Sequence, residues 1–285
     1  MIDENTINAS IIIPTLGRLE TIVELSKHLL ILKPNPIEIL IIFQDKVEYE
    51  QFLGINTSSF IKPILISKKS AVSARNEGIR FAKGKFLVFL DDDCKPIKST
   101  WLRQITAPLH NPGISISTGS VFGWEKASGK SNFINRAFLL LPIILEPFGN
   151  PESHKSDYCH TFAGGNFAAR KSELESIGGF NENFESPSLY EEIELSFKIK
   201  KKTGKVIWYE SSASVYHDQV KSGGMRQANM QFSEEFVISQ RKKLFNEVFK
   251  GRLNICLRLT IYQIFRLIVK LSKKLRLLSR NNNEY

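Results

Sequence analysis

An apolar run ends abruptly in three carboxylates in the stretch Lys85-Phe86-Leu87-Val88-Phe89-Leu90-Asp91-Asp92-Asp93-Cys94. Residues 86–90 are all aromatic or aliphatic, with Gly84 before them and Pro96 shortly after. This pattern predicts a fully buried strand of a parallel sheet. Ligands bind at the carboxyl ends of such strands, so the acids stand where a ligand is expected.

Three adjacent carboxylates repel one another unless a cation lies among them. Mg²⁺ and Mn²⁺ suit such a site because they prefer oxygen ligands and bind through one or two carboxylates together with substrate phosphates. Asp91, Asp92 and Asp93 are therefore candidate metal ligands. The alternative is a solvated acidic turn after a buried strand.

The sequence around this stretch alternates between strand and helix patterns. Short apolar strands are predicted at 9–13, 37–43 and 63–67. Helices are predicted at 19–32, with apolar residues on one side, and within 68–84, with small residues on one face. Such alternation predicts an α/β fold whose mostly parallel sheet is flanked by helices.

The other segments are shorter. Residues 46–62 are predicted to be a polar connection, residues 114–121 a half-buried strand, and residues 206–209 a strand that ends well before His217. A helix with an acidic first turn is predicted over 190–202.

Positive charge is concentrated near the end of the chain. The 285 residues carry a net charge of +10 and are 42% hydrophobic, as expected of a globular protein. Residues 241–285 contain twelve Lys or Arg against Glu247 and Glu284, so this segment supplies the whole excess. Residues 1–240 are nearly neutral, which argues against nucleic-acid binding by this part of the chain.

The basic segment also has a helical apolar pattern. We therefore predict a domain over 1–222 and a basic, amphipathic helical segment over 223–285. No stretch of 18 residues in it is free of charge, which does not fit a simple membrane span. Such helices are typical of attachment to an anionic membrane surface. The alternative is packing on the protein or on a partner.

The first residues and the cysteines of the sequence allow a prediction of the cellular location. Residues 1–5 are acidic and polar, unlike a signal peptide. The three cysteines are widely spaced, which indicates reduced thiols. A cytoplasmic protein is predicted, peripheral on the cytoplasmic face of the membrane.

Several motifs follow one another in a definite order. They are Ser10-Ile-Ile-Ile-Pro-Thr15, Ala71-Val-Ser-Ala-Arg-Asn-Glu-Gly-Ile79, Phe89-Leu-Asp-Asp-Asp93, Gly164-Gly-Asn-Phe-Ala-Ala-Arg170, Gly178-Gly-Phe-Asn-Glu182, Tyr190-Glu-Glu-Ile-Glu-Leu195 and His217. This order resembles the family 2 glycosyltransferases over about residues 8–220. The resemblance implies a GT-A (Rossmann-like) α/β fold, a nucleotide-sugar donor, a divalent metal (Mn²⁺ or Mg²⁺) and inversion at the anomeric carbon.

The resemblance also suggests the metal ligands. The three acids resemble the family's DxD motif, in which Asp93 would bind the metal and Asp91 would face the ribose or the metal. His217 stands where many GT-A enzymes place a further contact to the metal or the diphosphate. The metal would stabilise charge on the leaving diphosphate.

A catalytic base is implied as well. The family usually places an Asp here, in a Glu-Asp pair that begins a helix. Glu192 matches that position and keeps the carboxylate one methylene further out, with Glu191 as the second candidate.

The remaining candidates would contact the nucleotide sugar. The family often has two acids in the nucleobase pocket, and Gln44 departs from that pattern, so UDP is favoured while dTDP and GDP stay open. The candidate residues are Pro14, Thr15, Arg18, Gln44, Asp45, Lys69, Arg75, Asp91, Asp92, Gly164, Gly165 and Asn166. The acceptor would be a saccharide or a lipid-linked hydroxyl compound in polysaccharide or glycolipid biosynthesis.

Two other functions fit parts of this pattern. Haloacid-dehalogenase-type phosphatases also have a strand that ends in Asp-x-Asp, but Lys95 stands where they usually have Thr or Val. A transferase domain without activity that serves as a membrane-bound scaffold is the second, and the Asp-to-Glu departure at Glu192 supports it.

Overall fold

The computed structural model describes residues 6–56, 58–123, 136–184, 189–218, 220, 223–224, 232–249 and 252–281. Its strands are β1 (Thr6–Thr15), β2 (Asn35–Phe43), β3 (Ile61–Leu65), β4 (Phe86–Leu90), β5 (Cys94–Pro96), β6 (Ile114–Phe122), β7 (Leu139–Leu141), β8 (Glu146–Phe148), β9 (Asp157–Cys159), β10 (Asn166–Arg170) and β11 (Val206–His217). Its α-helices are α1 (Leu19–Leu29), α2 (Lys46–Ile55), α3 (Ala71–Phe81), α4 (Trp101–Thr106), α5 (Lys171–Ser176), α6 (Glu191–Thr203), α7 (Glu234–Val248) and α8 (Arg252–Asn281), and a 3₁₀ turn follows α4 at Ala107–His110.

Nine of the described strands form one sheet in the order β3-β2-β1-β4-β10-β6-β11-β5, with β9 paired to β11. The pairings from β3 through β4 are parallel, β10 is antiparallel to both β4 and β6, and β6 is parallel to β11. Six strands therefore point the same way, and their carboxyl ends meet at one edge. The predicted α/β class with a mostly parallel sheet is confirmed.

Helices cover the sheet on both faces. One face packs against α1 and α4, where Trp101 is fully buried. The other face packs against α3, α5 and α6. Helix α3 approaches β1 closely because Gly78 has no side chain: a Cβ there would lie 2.3 Å from Ile12 Cγ2.

Three predictions about single elements are wrong. Residues 114–121 are all buried rather than half-buried, because the sheet is covered on both faces. The supposed polar connection over 46–62 contains α2, whose N-terminal amides are capped by the Asp45 carboxylate. Strand β11 continues to His217 instead of ending at 209, and this extension pairs His217 with Cys94.

Helices α7 and α8 lie in the predicted C-terminal segment, of which residues 225–231, 250–251 and 282–285 fall outside the described part. A third hydrophobic cluster joins both helices to α6 and to the β7–β8 hairpin through Ile193, Leu244, Phe245 and Tyr262, among others. The domain boundary at 222 stays a prediction. Within the described residues, none of the helices combines the length and the apolar character needed to cross a membrane.

Candidate functional site

The predicted site residues gather at the carboxyl edge of the sheet. Strand β1 ends there at Thr15, and β4 ends immediately before Asp91. Strand β10 runs the opposite way, so the glycine pair that precedes it reaches the same edge, where Asp91 N donates to Gly165 O at 3.4 Å. Strand β11 brings His217 to this edge from a distant part of the chain.

One group of charged side chains, the Arg18 cluster, contains Thr15, Arg18, Asp92, Asp93 and His217. Arg18 Nη1 donates to Asp92 Oδ1 at 2.6 Å and to Asp93 Oδ2 at 2.7 Å. Thr15 Oγ1 donates to Asp92 Oδ2 at 2.9 Å. The other oxygen of Asp93, Oδ1, lies 3.4 Å from His217 Nε2. Two adjacent acids thus share one guanidinium.

Burial makes these two carboxylates hard to ionise. It raises the pKa of Asp92 to about 7, although Arg18 acts in the opposite direction. It also raises the pKa of Asp93, against the lowering effect of His217 and Arg18. The charge on Arg18 therefore compensates the acidic pair only in part, and further positive charge would favour their ionised form.

The Asp93 side of the cluster suits a divalent cation. Single ligand atoms of Asp93, Cys94 and His217 lie within 4.8 Å of one another. Nδ1 of His217 is buried and has no hydrogen-bond partner within the described part of the protein. A carboxylate together with an imidazole is a ligand set that transition metals accept. Asp91, a predicted metal ligand, lies outside this group.

A second group, the Arg75 cluster, contains Arg75, Asp91, Glu191 and Glu192. Arg75 Nη2 lies 3.1 Å from Asp91 Oδ1, and Nη1 lies 3.4 Å from Glu191 Oε1. Burial lowers the pKa of Arg75, but the charges of the three acids outweigh it and raise that pKa. The predicted base candidates and the first Asp of the motif thus share a buried arginine.

The glycine pair lies against this second group. A Cβ on Gly164 would come within 2.4 Å of Glu192 Oε1, and one on Gly165 within 2.6 Å of Asp91 Oδ2. Side chains at these two positions would displace the carboxylates. The sequence therefore has glycines here because backbone and carboxylates approach closely.

Several predicted binding residues are engaged by the protein itself. The Asp45 carboxylate caps α2 through Val47 N and Glu48 N. Both amide hydrogens of Asn166 are used by main-chain oxygens of Ser120 and Ala213, at 3.0 and 2.9 Å. The Asn166 side chain therefore belongs to the core, and only its main chain lies near the edge.

The other predicted binders differ in placement. Pro14 is buried in β1. Lys69 is exposed before α3. Gln44 is buried and donates through Nε2 to Thr15 O at 3.3 Å, while its Oε1 accepts no hydrogen bond from the described residues.

Two features of the site were absent from the predictions. Cys94 lies beside His217 because β5 pairs with β11, a proximity that no local sequence pattern predicts. Tyr190, from which α6 begins, has a left-handed backbone with φ of 75°, and no sequence signal marks a Tyr for that conformation.

Comparison with known proteins gives a family and a fold. Residues 10–173, more than half of the chain, match the family described as Glycosyl transferase family 2. The O-antigen biosynthesis protein RfbC of Myxococcus xanthus is 23% identical over 228 residues. That match covers 75% of this chain but only 17% of the relative, so the chain spans a small part of that protein's length.

Solved structures of glycosyltransferases share the fold. GalNAc-T7, solved with UDP, GalNAc and Mn²⁺, aligns with a TM-score of 0.61 at 16% identity over 86% of this chain and 49% of its own. The mannosyltransferase PcManGT of Pyrobaculum calidifontis, solved with GDP-Man and Mn²⁺, gives 0.58 at 12% identity over 89% and 68%. S. aureus TarS gives 0.57 at 13% identity over 88% and 68%.

Proposed function

Because the chain belongs to glycosyl transferase family 2, we propose that it moves a sugar from a nucleoside-diphosphate sugar to a hydroxyl acceptor with inversion at the anomeric carbon. The observation that carries this proposal is the meeting of the two clusters at one edge. Asp91 belongs to the Arg75 cluster and the next two residues belong to the Arg18 cluster. In this proposal the leaving-group site and the base site lie on either side of one short turn.

Glu192 is the proposed base. Its carboxylate accepts the proton of the acceptor hydroxyl, and that oxygen forms a bond to the anomeric carbon on the face opposite the leaving group. The bond from the anomeric carbon to the phosphate oxygen breaks, and its electron pair leaves with the nucleoside diphosphate. The closeness of the Glu192 carboxylate to Gly164 supports this role, because a glycine at this position has no side chain to cover the carboxylate.

Asp93 and His217 are the proposed metal ligands, and Asp91 is kept as a weaker candidate because it pairs with Arg75. A bound Mn²⁺ or Mg²⁺ would stabilise negative charge on the departing diphosphate. Arg18 holds Asp92 and Asp93 in place from the other side. Two structurally similar proteins, GalNAc-T7 and PcManGT, were solved with Mn²⁺, which supports a divalent metal here.

The nucleobase would lie between the ends of β1 and β2. Support comes from Gln44, whose buried Oε1 is an acceptor ready for an N–H group of the base. Uracil, thymine and guanine all present such a group, and UDP sugars remain the favoured donors. The similarity to RfbC supports a role in polysaccharide or glycolipid biosynthesis.

We also propose that α8 attaches the enzyme to an anionic membrane, where a lipid-linked acceptor would be found. Its exposed apolar residues recur on one side of the helix: Leu257, Ile264, Leu267, Ile268 and Leu271. The segment over 241–285 supplies the excess of ten positive charges. An apolar stripe together with basic charge is the combination that binds anionic bilayers.

The alternative of a scaffold without activity has little support, because both base candidates keep their carboxylates beside Arg75 and the glycine pair. A thermal-shift series with UDP, GDP and dTDP in the presence of Mn²⁺ tests donor binding, since a ligand raises the stability of the state that binds it. Turnover of the matching nucleotide sugar by the wild type but not by Asp93→Ala is the result expected of a transferase. Binding without turnover by the wild type would favour the scaffold.

A further inference from the structure

Arg241 on α7 is fully buried, although it belongs to the basic C-terminal segment. Its Nη1 donates to Ile144 O and Leu145 O, both at 2.9 Å. Its Nη2 donates to Glu146 Oε2 at 2.5 Å. The charge of this arginine is therefore used inside the protein and not at a membrane surface.

The same guanidinium lies between two tyrosine rings. Its Cζ is 4.0 Å from the ring centre of Tyr190 and 4.3 Å from that of Tyr262 on α8. A planar guanidinium stacks on aromatic rings while its five N–H groups donate to oxygens in its plane, a combination that the compact ammonium of lysine does not reproduce.

Arg241 contacts two residues with unusual backbones. Tyr190 has a φ of 75° and Leu145 has a φ of 52°. Large side chains adopt this region rarely, and only where the surroundings hold them there. Arg241 supplies such contacts to both, through the Tyr190 ring and the Leu145 carbonyl.

Tyr190 sets the beginning of α6. Its carbonyl oxygen accepts from Glu194 N at 3.0 Å, which closes the first turn of the helix. Glu191 and Glu192 directly follow it. Any change in the backbone of Tyr190 therefore redirects the two acids that lie next to Arg75 and Gly164.

We propose that Arg241 is a positioning residue for the acceptor side of the site. It holds Tyr190 in the left-handed conformation and thereby directs Glu192 toward Gly164. The inference rests on the proposed function, in which Glu192 is the base. It makes α7 and α8 parts of the catalytic unit, since Arg241 and Tyr262 come from these helices.

The chain offers a matched control in Arg258 on α8. Its Cζ lies 3.7 Å from the ring centre of Phe249, and its Nη1 donates to Ile143 O at 2.6 Å. Arg258 thus combines a ring and a carbonyl as Arg241 does, but at a partly exposed position, and its contacts among the described residues do not include α6.

The experiment compares full-length Arg241→Lys and Arg258→Lys with the wild type. Transfer kcat is measured per donor-binding site, so that loss of folded protein does not count as loss of function. We expect Arg241→Lys to lower kcat about tenfold or more, as misplacement of a catalytic group does, with donor KM little changed. The Glu194 amide should exchange with solvent faster in Arg241→Lys, and Arg258→Lys should match the wild type in every measurement.

Equal kcat and equal Glu194 exchange in the two variants would overturn the inference. If Arg241→Lys does not fold, Tyr262→Leu removes one ring and leaves the arginine, and the same two measurements decide with a smaller effect expected. Failure of the proposed function would look different, because the wild type would then transfer no sugar. Exchange at Glu194 would still decide whether Arg241 holds the start of α6.

Discussion

Gly164 lies so close to Glu192 that a Cβ on the glycine would be only 2.4 Å from Oε1 of the carboxylate. The atom in conflict is the end of a flexible side chain, so Gly164→Ala is expected to fold and to move the carboxylate. Because a displacement of this kind changes the geometry of proton transfer, we expect kcat to fall about ten- to a hundredfold while donor affinity stays the same.

Steady-state kinetics with saturating donor measure this effect. Gly54→Ala is the matched control, because Gly54 lies in α2, where an added Cβ would meet no atom of the described residues within 4 Å. It should keep full activity and gain slightly in stability, since alanine favours helix more than glycine does. Equal activity of the two variants would contradict the proposed contact between Glu192 and the glycine loop.

Glu192→Gln separates the two base candidates. It removes the proton acceptor while keeping the shape of the side chain, so we expect transfer to fall by about 10²–10⁴-fold with donor binding unchanged. Glu191→Gln should cost much less, because Glu191 is buried beside Arg75 and would lose one ion-pair contact. Steady-state kinetics measure sugar transfer, and nucleotide titration measures donor binding in both variants. A larger loss of transfer in Glu191→Gln than in Glu192→Gln would identify Glu191 as the base instead.

The sequence was most informative where local pattern and topology coincide. The run from Phe86 to Leu90 predicted a buried strand that ends in acids, and the structure has β4 over those five residues. The helix over 46–55 is hard to predict because its largely polar, exposed surface conceals the helical period, although Asp45 is a good N-cap. Contacts between distant segments, such as His217 with Asp93, follow from strand order, which periodicity does not reveal.

The division of the three acids could not be predicted for the same reason. Asp91 pairs with Arg75, whereas Asp92 and Asp93 pair with Arg18. The side chains of successive residues in a turn point in different directions, so three identical residues occupy two different environments. Only the tertiary positions of α1 and α3 decide which arginine meets which acid.

Metal affinity should distinguish Asp93 from Asp91. We expect Asp93→Asn and His217→Gln each to weaken Mn²⁺ binding at least tenfold, a loss on the order of one ligand or its support. Asp91→Asn should have a smaller effect, because Asp91 lies beside Arg75. Asp45→Asn is the control, since Asn also caps a helix. Titration of Mn²⁺ followed by electron paramagnetic resonance measures the affinities, and a greater loss in Asp91→Asn would reverse the assignment.

Asn166 should act on stability and not on donor binding. Its side chain contacts Trp101 Nε1 at 3.1 Å and the carbonyls of Ser120 and Ala213. Asn166→Ala leaves these buried groups unsatisfied, and we expect the free energy of unfolding to fall by about 2–5 kcal/mol. Asn8→Ala, which loses an exposed bond to Lys85 N, should cost about 1 kcal/mol or less.

Urea unfolding gives both values, and nucleotide affinity is measured on the folded protein below the transition. Unchanged affinity in Asn166→Ala is expected. A marked loss of nucleotide affinity with unchanged stability would show instead that the Asn166 side chain takes part in donor binding.

Membrane attachment through α8 is tested by two exposed isoleucines. Ile264 and Ile268 are 53% and 58% exposed, and burial of such side chains in a bilayer contributes about 1.5–3 kcal/mol each. We expect Ile264→Ser with Ile268→Ser to reduce co-sedimentation with anionic vesicles at least tenfold. The control changes Leu53 and Ile55 on α2, which are 48% and 49% exposed, to serine and should bind like the wild type.

Added salt should weaken wild-type binding because basic charges contribute to it. Equal binding by the two double variants would show that α8 does not carry the attachment.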